Sequence, residues 1–306
     1  MKTKLPFAGT SPLVKMLPPV KPYRLSLGHA YAFSDQYGAF HTAAKYCGVS
    51  GELRPPGMWQ HGVRGPWDQY EPGSIMSYAP TLGTIKSFVA RQDEKQFLNK
   101  HGIKNCEAIG MPIVYVDHPT VRRIKNTLLI VPLHTVAGVP LFNSQEKISQ
   151  YCNEIKKISE SFDYVAVCLH YGDIRNKYWL KEFHQLGIDF ILGGHPQDIN
   201  SNNRQAHLFC LFEYVTTNGW GSHVPYALSF GAKVSIWGST PGVDTRIAKR
   251  DVGGGGEARV KRRLSQNYKN SRNLFISGLK CHPFEAESDK PLGDFLIGRS
   301  RKKTPA

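Results

Sequence analysis

The chain has no CxxC pair: its six cysteines stand singly at 47, 106, 152, 168, 210 and 281. The paired spacing of a structural zinc site is therefore missing. Cys168 and Cys210 lie inside apolar runs, where thiols serve as small buried hydrophobes, and the set fits a reducing compartment. No stretch approaches the ~20 apolar residues of a membrane span. The lysine-led N-terminus, MKTKLPFAGTSPLVKMLPPVKPY, is broken by Pro6, Pro12, Pro18 and Pro19 before an apolar core develops, which argues against a signal peptide. The expected location is cytoplasmic, with peripheral contact at the inner face of the cell membrane as an extension of that reading.

Two catalytic signatures are also missing. Gly221-Ser222-His223 lacks the GxSxG elbow, so no Ser-His-Asp triad is nominated. The four glycines of DVGGGGEARVKRR, at 253–256, carry neither GxGxxG nor GxxxxGK[ST] around them. They read as a surface connection, since such a run loses too much chain entropy in a helix or strand. No cofactor is expected.

Acidic residues are scarce: 24 against 39 Lys plus Arg gives +15, and residues 249–306, with 14 basic and 6 acidic side chains, carry +8 of it. Such a field attracts nucleotides, nucleic acid or anionic lipid without choosing among them. ARVKRRL at 258–264 lacks alternation with aromatics and no nucleic-acid fold signature accompanies it, so nucleic acid is not an expected partner.

At 306 residues and 41% hydrophobic, the chain is long enough for one large α/β domain or two smaller ones. The first 80 residues are rich in Gly, Pro, Tyr and His, with a short apolar run at Arg24 to Leu27 and a helix near Ala39 to Tyr46. From 85 a regular order begins: strand IKSFVA, helix RQDEKQFLNKHG ended by Gly102, and two apolar pieces of CEAIGMPIVYV split at Gly110 to Pro112. The polar stretch HPTVRRIKN, 118–126, reads as a junction.

A second series follows, with strands at 127–134, 163–170 and 188–194 and helices at 144–161 and 177–187. Asn143 or Ser144 can cap the first helix, whose Ile148, Tyr151, Cys152, Ile155 and Ile158 recur at helical spacing. Phe212 to Val215, the turn TTNGWGSH, the helical His223 to Phe230 and the β-branched Ala232 to Trp237 complete it. Alternating strands and helices imply a parallel sheet covered on both faces. The last eight residues read as solvated and loosely ordered.

Polar residues gather where these strands end: His134, then His170 and Asp173, then His195 with Pro196, then Thr216 to His223. Carboxyl ends of parallel strands are where open α/β sheets hold ligands. A small-residue loop before a helix suits an anion bound through backbone N–H groups. His170, Asp173 and His195 together with Asp198 are also ligand types for Zn, Mn or Fe, so a metal-dependent phosphoesterase is an alternative. Against it, the early chain lacks a DxH strand-end pair. In the first half, His61 of MWQHGVRGPW can present an imidazole for proton abstraction near neutral pH.

The segments WQHGV (59–63), FVARQDEKQFLNKHGIKNCEAIGMPIVYV (88–116), LLIVPLH (128–134), VAVCLHYGD (165–173), ILGGHPQD (191–198) and TTNGWGSHVPYALSFGAKVSIWG (216–238) resemble the GT-B glycosyltransferases of bacterial surface-polysaccharide synthesis, including capsule and lipopolysaccharide. The last segment is the most specific. The resemblance implies two Rossmann-like domains facing a cleft: 1–120 on the acceptor side, 121–280 binding the donor nucleotide, and 281–306 as terminal elements with a basic tail. It implies a nucleotide-sugar donor, a glycan or glycolipid acceptor, and metal-independent transfer. His61 maps to the catalytic base, and His195, Pro196, Thr217, Asn218, Gly219, Gly221 and Ser222 to donor-phosphate contacts, with His170 and His223 as further donor contacts. The first 55 residues are short and proline-rich for a full Rossmann half, and WQHGV lacks a second aromatic after the His-Gly pair. A catalytically inactive sugar-nucleotide-binding module is accordingly the non-enzyme alternative.

Overall fold

A computed structural model describes residues 8–24, 35–50, 55–76, 83–134, 145–177, 179–239 and 265–305. The glycine run, the 258–264 stretch, the Asn143 and Ser144 cap and most of the Arg24 to Leu27 run lie outside them. Two separate parallel sheets, each flanked by helices, give two Rossmann-like lobes. The first sheet is small, with β1 (Met58–Trp59), β2 (Ser87–Val89) and β3 (Cys106–Ala108) in that order. The second has five strands, β4 (Ile124–Ile130), β5 (Tyr164–Leu169), β6 (Asp189–Leu192), β7 (Phe212–Thr217) and β8 (Lys233–Ile236), in the order β6-β5-β4-β7-β8 and all parallel.

Strand alternation explains the layering. In β4, Leu128 and Ile130 face a cluster with Ile148, Tyr151 and Ile155 of the Gln145–Ser159 helix. Leu129 faces the opposite cluster with Val215, Val224 and Leu228. Both faces are buried, as a parallel sheet requires. That second cluster also holds Trp59, Phe88 and Ala90 of the first lobe and Ile113 and Tyr115 of a turn of 3₁₀ helix, Pro112–Tyr115. The hydrophobic core is thus continuous between the two sheets.

Several elements differ from expectation. The 177–187 helix is a shorter Leu180–Gln185, preceded by a separate Tyr171–Arg175 turn of helix, because Lys177 and Trp179 take φ of 57° and 69° and break the run. An unexpected helix, Ser201–Leu211, leads into β7. Its buried face includes Ser201, Asn202 and Arg204, so no apolar stripe marks it in the sequence. The early segment joins the second sheet: Gly9 bridges Ile191, and Lys21 N–H donates to Asp198 Oδ1 at 2.8 Å.

The C-terminus is also not loose. After the Lys290–Leu296 helix packs on the His223–Ser229 helix, Ile297 carbonyl accepts from Met111 N–H at 2.8 Å. Gly298, at φ +67°, lies so close to Ala90 that a Cβ would sit 1.9 Å from its carbonyl oxygen. Arg299 binds Asp294 and Ser229, Lys302 lies 4.0 Å over the Tyr46 ring, and Lys303 N–H donates to Tyr115 hydroxyl at 3.2 Å. Half-buried Arg299 and Lys302 are pinned by a carboxylate and an aromatic ring. No described helix is long and apolar enough to cross a membrane.

Candidate functional site

Strand order in the second sheet runs outward in both directions from the β4–β7 pair. A parallel sheet opens a ligand crevice beyond the carboxyl ends of strands at such a switch point. The loops leaving β4 and β7 are joined there. Val131 N–H donates to Thr216 carbonyl at 2.8 Å, and Leu133 N–H to Asn218 Oδ1 at 2.9 Å. Asn218 is buried, and its Nδ2 donates to Ser239 carbonyl at 3.2 Å. Both ends of its amide therefore hold loops together. Gly219 follows, packed against the Leu133 side chain, whose Cδ1 would lie 2.4 Å from an added Cβ.

Thr217 is buried too, and its hydroxyl donates to Gly219 carbonyl at 3.0 Å. With its one proton used, Oγ1 accepts from His223 Nε2 at 2.9 Å. The His223 ring lies against Gly221, where a Cβ would come within 2.8 Å of Nδ1. Ser222 precedes the His223–Ser229 helix, but its side chain makes no cap. Instead its hydroxyl oxygen accepts from Val63 N–H at 2.9 Å. That bond ties the loop after β7 to the His61 loop of the first lobe, and an edge contact of Trp67 with Trp220 at 5.1 Å lies beside it.

His61 follows β1 on a firmly held support. Trp59 Nε1 donates to Gly110 carbonyl at 3.0 Å, Gln60 Oε1 accepts from Ala90 N–H at 3.0 Å, and Gln60 Nε2 donates to the buried Glu94 at 3.1 Å. Arg91 pairs with Glu94 at 3.3 Å and donates to Arg64 carbonyl, which fixes the far side of the loop. Gly62 turns the chain with φ +78° and passes Ser222 Oγ closely, a Cβ being 3.3 Å from it. Glycine at 62 is thus a backbone requirement.

The β5 and β6 loops bring in two more imidazoles, each with its tautomer set by backbone. His170 Nδ1 accepts from Gly172 N–H at 3.0 Å, and His195 Nδ1 accepts from Gln197 N–H at 3.0 Å. In the neutral ring the proton must then be on Nε2. His170 Nε2 meets the Tyr37 hydroxyl at 3.0 Å, whereas His195 Nε2, on a ring only 2% exposed, has no hydrogen-bond partner among the described residues. Pro196 contributes its carbonyl, which accepts from Tyr37 N–H at 3.0 Å. His134 stacks on His170 with centroids 4.3 Å apart.

Burial lowers every one of the deeper imidazoles. His61 falls to about 4 through burial, then Arg64 and His134; His170 to about 3 through burial, then His134, His61 and His195. His195 falls to about 4 through burial, and His223 to about 3 through burial and His134. At neutral pH these groups are uncharged donors and acceptors. Because each value lies below the usual 6.5, the unfolded chain binds more protons between about pH 6.5 and 3, and stability rises with pH there. It is complete above about 6.5 and lost as pH falls toward the folded values. Thermal melts should therefore be flat from pH 7 to 8 and fall steadily from pH 6 to 4.5, above the usual carboxylate range; a constant melting temperature over that lower interval contradicts the assignment.

The structure brings His61, His170, His195, Thr217, Gly221, Ser222 and His223 to one region, with Asn218 and Gly219 building the loop. Asp173 is buried in the first turn of the Tyr171–Arg175 helix. Among the described residues no three His, Cys, Asp or Glu side chains group so as to hold a metal ion. Sequence reasoning missed Tyr37, which sits in a short Gly-adjacent turn with no motif around it. No protein-family model and no curated protein matches the chain.

Proposed function

We propose that the chain is a glycosyltransferase that moves a sugar from a nucleotide-activated donor to a hydroxyl of a glycan or glycolipid, with the donor on the five-stranded lobe and the acceptor on the His61 side. One observation carries the reading: the Val63–Ser222 hydrogen bond brings the His61 loop of one sheet against the switch-point loop of the other. A base and an anion site from different lobes then flank one reaction centre, as transfer between two bound substrates needs.

In this mechanism His61 takes the acceptor proton as the oxygen attacks the anomeric carbon, and the nucleotide leaves toward the β7 loop. An imidazole at about 4 is neutral, as a base must be, but weakly basic. Arg64, one cause of that depression, is the group whose charge a bound diphosphate would offset. Donor binding thus raises the basicity of His61 at the moment it is required. The Nε2–H of His195, with its tautomer set in advance, stabilises the leaving charge without reorganisation.

The test is incubation with CMP-, UDP-, GDP- and CDP-linked donors and a mixed glycan and glycolipid acceptor fraction, followed by assay for nucleotide release with and without EDTA. Acceptor-dependent release that survives EDTA is expected. Metal-dependent cleavage of phosphate esters would replace the proposal with the phosphoesterase, and saturable nucleotide binding without release would replace it with a binding module.

A further inference from the structure

Tyr37 occupies a backbone conformation that bulky residues avoid. Its φ is +59° and ψ 22°, inside the Gln36–Gly38 turn, a left-handed geometry that L-residues with a side chain seldom adopt. Such geometry persists where the surroundings over-determine it and is found preferentially at ligand sites. Here the surroundings are explicit. Tyr37 N–H donates to Pro196 carbonyl at 3.0 Å, and Asn202 Nδ2 donates to Tyr37 carbonyl at 3.1 Å. Next to it, Gly38 N–H donates to Tyr23 hydroxyl at 3.2 Å, and Gly38 lies so close to Ile199 that a Cβ would come within 2.4 Å of its carbonyl oxygen. Three neighbours of the β6 loop therefore clamp one strained residue.

What the clamp holds is a side chain that touches both candidate functions. The ring stacks on His61 with centroids 6.1 Å apart, and the hydroxyl lies 3.0 Å from His170 Nε2. Because His170 Nδ1 already accepts from Gly172 N–H, Nε2 carries the proton and donates to the Tyr37 oxygen. The hydroxyl proton of Tyr37 is then directed away from His170. Burial raises the phenol to about 12, so it remains a donor throughout the neutral range. Gly172 N–H, His170 and Tyr37 form a chain of donors in one sense, and each bond polarises the next. The buried Nε2–H of His195, without a hydrogen-bond partner among the described residues, lies on the same loop as Pro196. Both Tyr37, through its N–H on the Pro196 carbonyl, and His195 are thus tied to the loop after β6.

We propose that the Tyr37 hydroxyl is a direct hydrogen-bond donor to a phosphate oxygen of the donor diphosphate, making Tyr37 a catalytic residue beside His61. The proposal rests on the donor-binding reading of this site. Its logic is that a leaving diphosphate gains charge during transfer, and a donor already aligned by His170 strengthens as that charge develops.

The experiment measures binding of inorganic pyrophosphate, and of the nucleotide released in the donor panel, to the full chain by calorimetry at pH 7.5. Tyr37→Phe keeps the ring on His61 and removes only the hydroxyl; it should bind pyrophosphate about 10-fold more weakly, the loss typical of a hydrogen bond to a charged group. Since this variant also leaves His170 Nε2–H without its acceptor, a second series places fluorotyrosines of increasing acidity at 37. Affinity should rise stepwise with phenol acidity while the phenol stays protonated, a trend that a purely structural hydroxyl would not produce. Equal affinities for wild type, Tyr37→Phe and the fluorinated proteins overturn the role of Tyr37 and leave the transferase reading standing. The stepwise trend without sugar transfer from any donor does the reverse. Wild type that binds neither pyrophosphate nor nucleotide overturns both.

Discussion

Replacing His61 by alanine is expected to lower the rate of sugar transfer by about 10²–10⁴-fold, the usual contribution of a positioned general base, with nucleotide affinity changed less than about three-fold. The separation follows from how the loop is built. Trp59 and Gln60 anchor it through Gly110, Ala90 and Glu94, and the Val63–Ser222 bond closes it; none of these uses the imidazole. The loop should keep its course, and the melting temperature should hold. Stacking against Tyr37 is lost, which affects orientation of the phenol more than the donor loop. Turnover and nucleotide binding measured on the same preparation decide the matter. Parallel losses of kcat and affinity would show that His61 binds the donor; unchanged kcat would remove it from the mechanism.

The second large effect concerns stability. Gly298→Ala places a methyl group 1.9 Å from Ala90 carbonyl oxygen at a residue with φ +67°. Neither atom belongs to a flexible side chain, so backbone must move at the joint between the C-terminal segment and the first sheet. The expected loss is at least about 3 kcal/mol, in the range reserved for strain and overpacking. Gly102→Ala provides the control, with φ +83° and nothing within 4 Å; only the left-handed conformation opposes it, at about 1 kcal/mol. Denaturant midpoints for both variants give the comparison. Equal losses would mean that the close approach to Ala90 contributes nothing.

Much of the second lobe is legible because both faces of its strands are covered. Runs such as LLIV and VAVCL leave no polar alternation to confuse with a surface strand, and the histidine-bearing loops then fall at predictable ends. The Ser201–Leu211 helix escapes because its buried side carries Asn202 and Arg204, whose partners, Thr42 and the Pro18 carbonyl, are about 160 and 186 residues away. The first sheet is written in strands of two or three residues, too short for periodicity to register. Of the candidate site, the histidines at strand ends are visible as spacing. Their tautomers are not, since these depend on which backbone N–H meets Nδ1. Ser222 is visible as a turn residue, but its partner lies 159 positions back. Tyr37 has no local signal; only the fold brings it between His61 and His170.

The seating of Ile297 and Gly298 against Met111, Ala90 and Gly110 has a meaning for biosynthesis. Strands β1 to β3 leave the ribosome almost 190 residues before the segment that completes their packing, so the small lobe waits with an open joint while the larger sheet assembles. Domains ordinarily fold as units in order of emergence. Packing around the strands that carry His61 is thus completed by a segment made long after them.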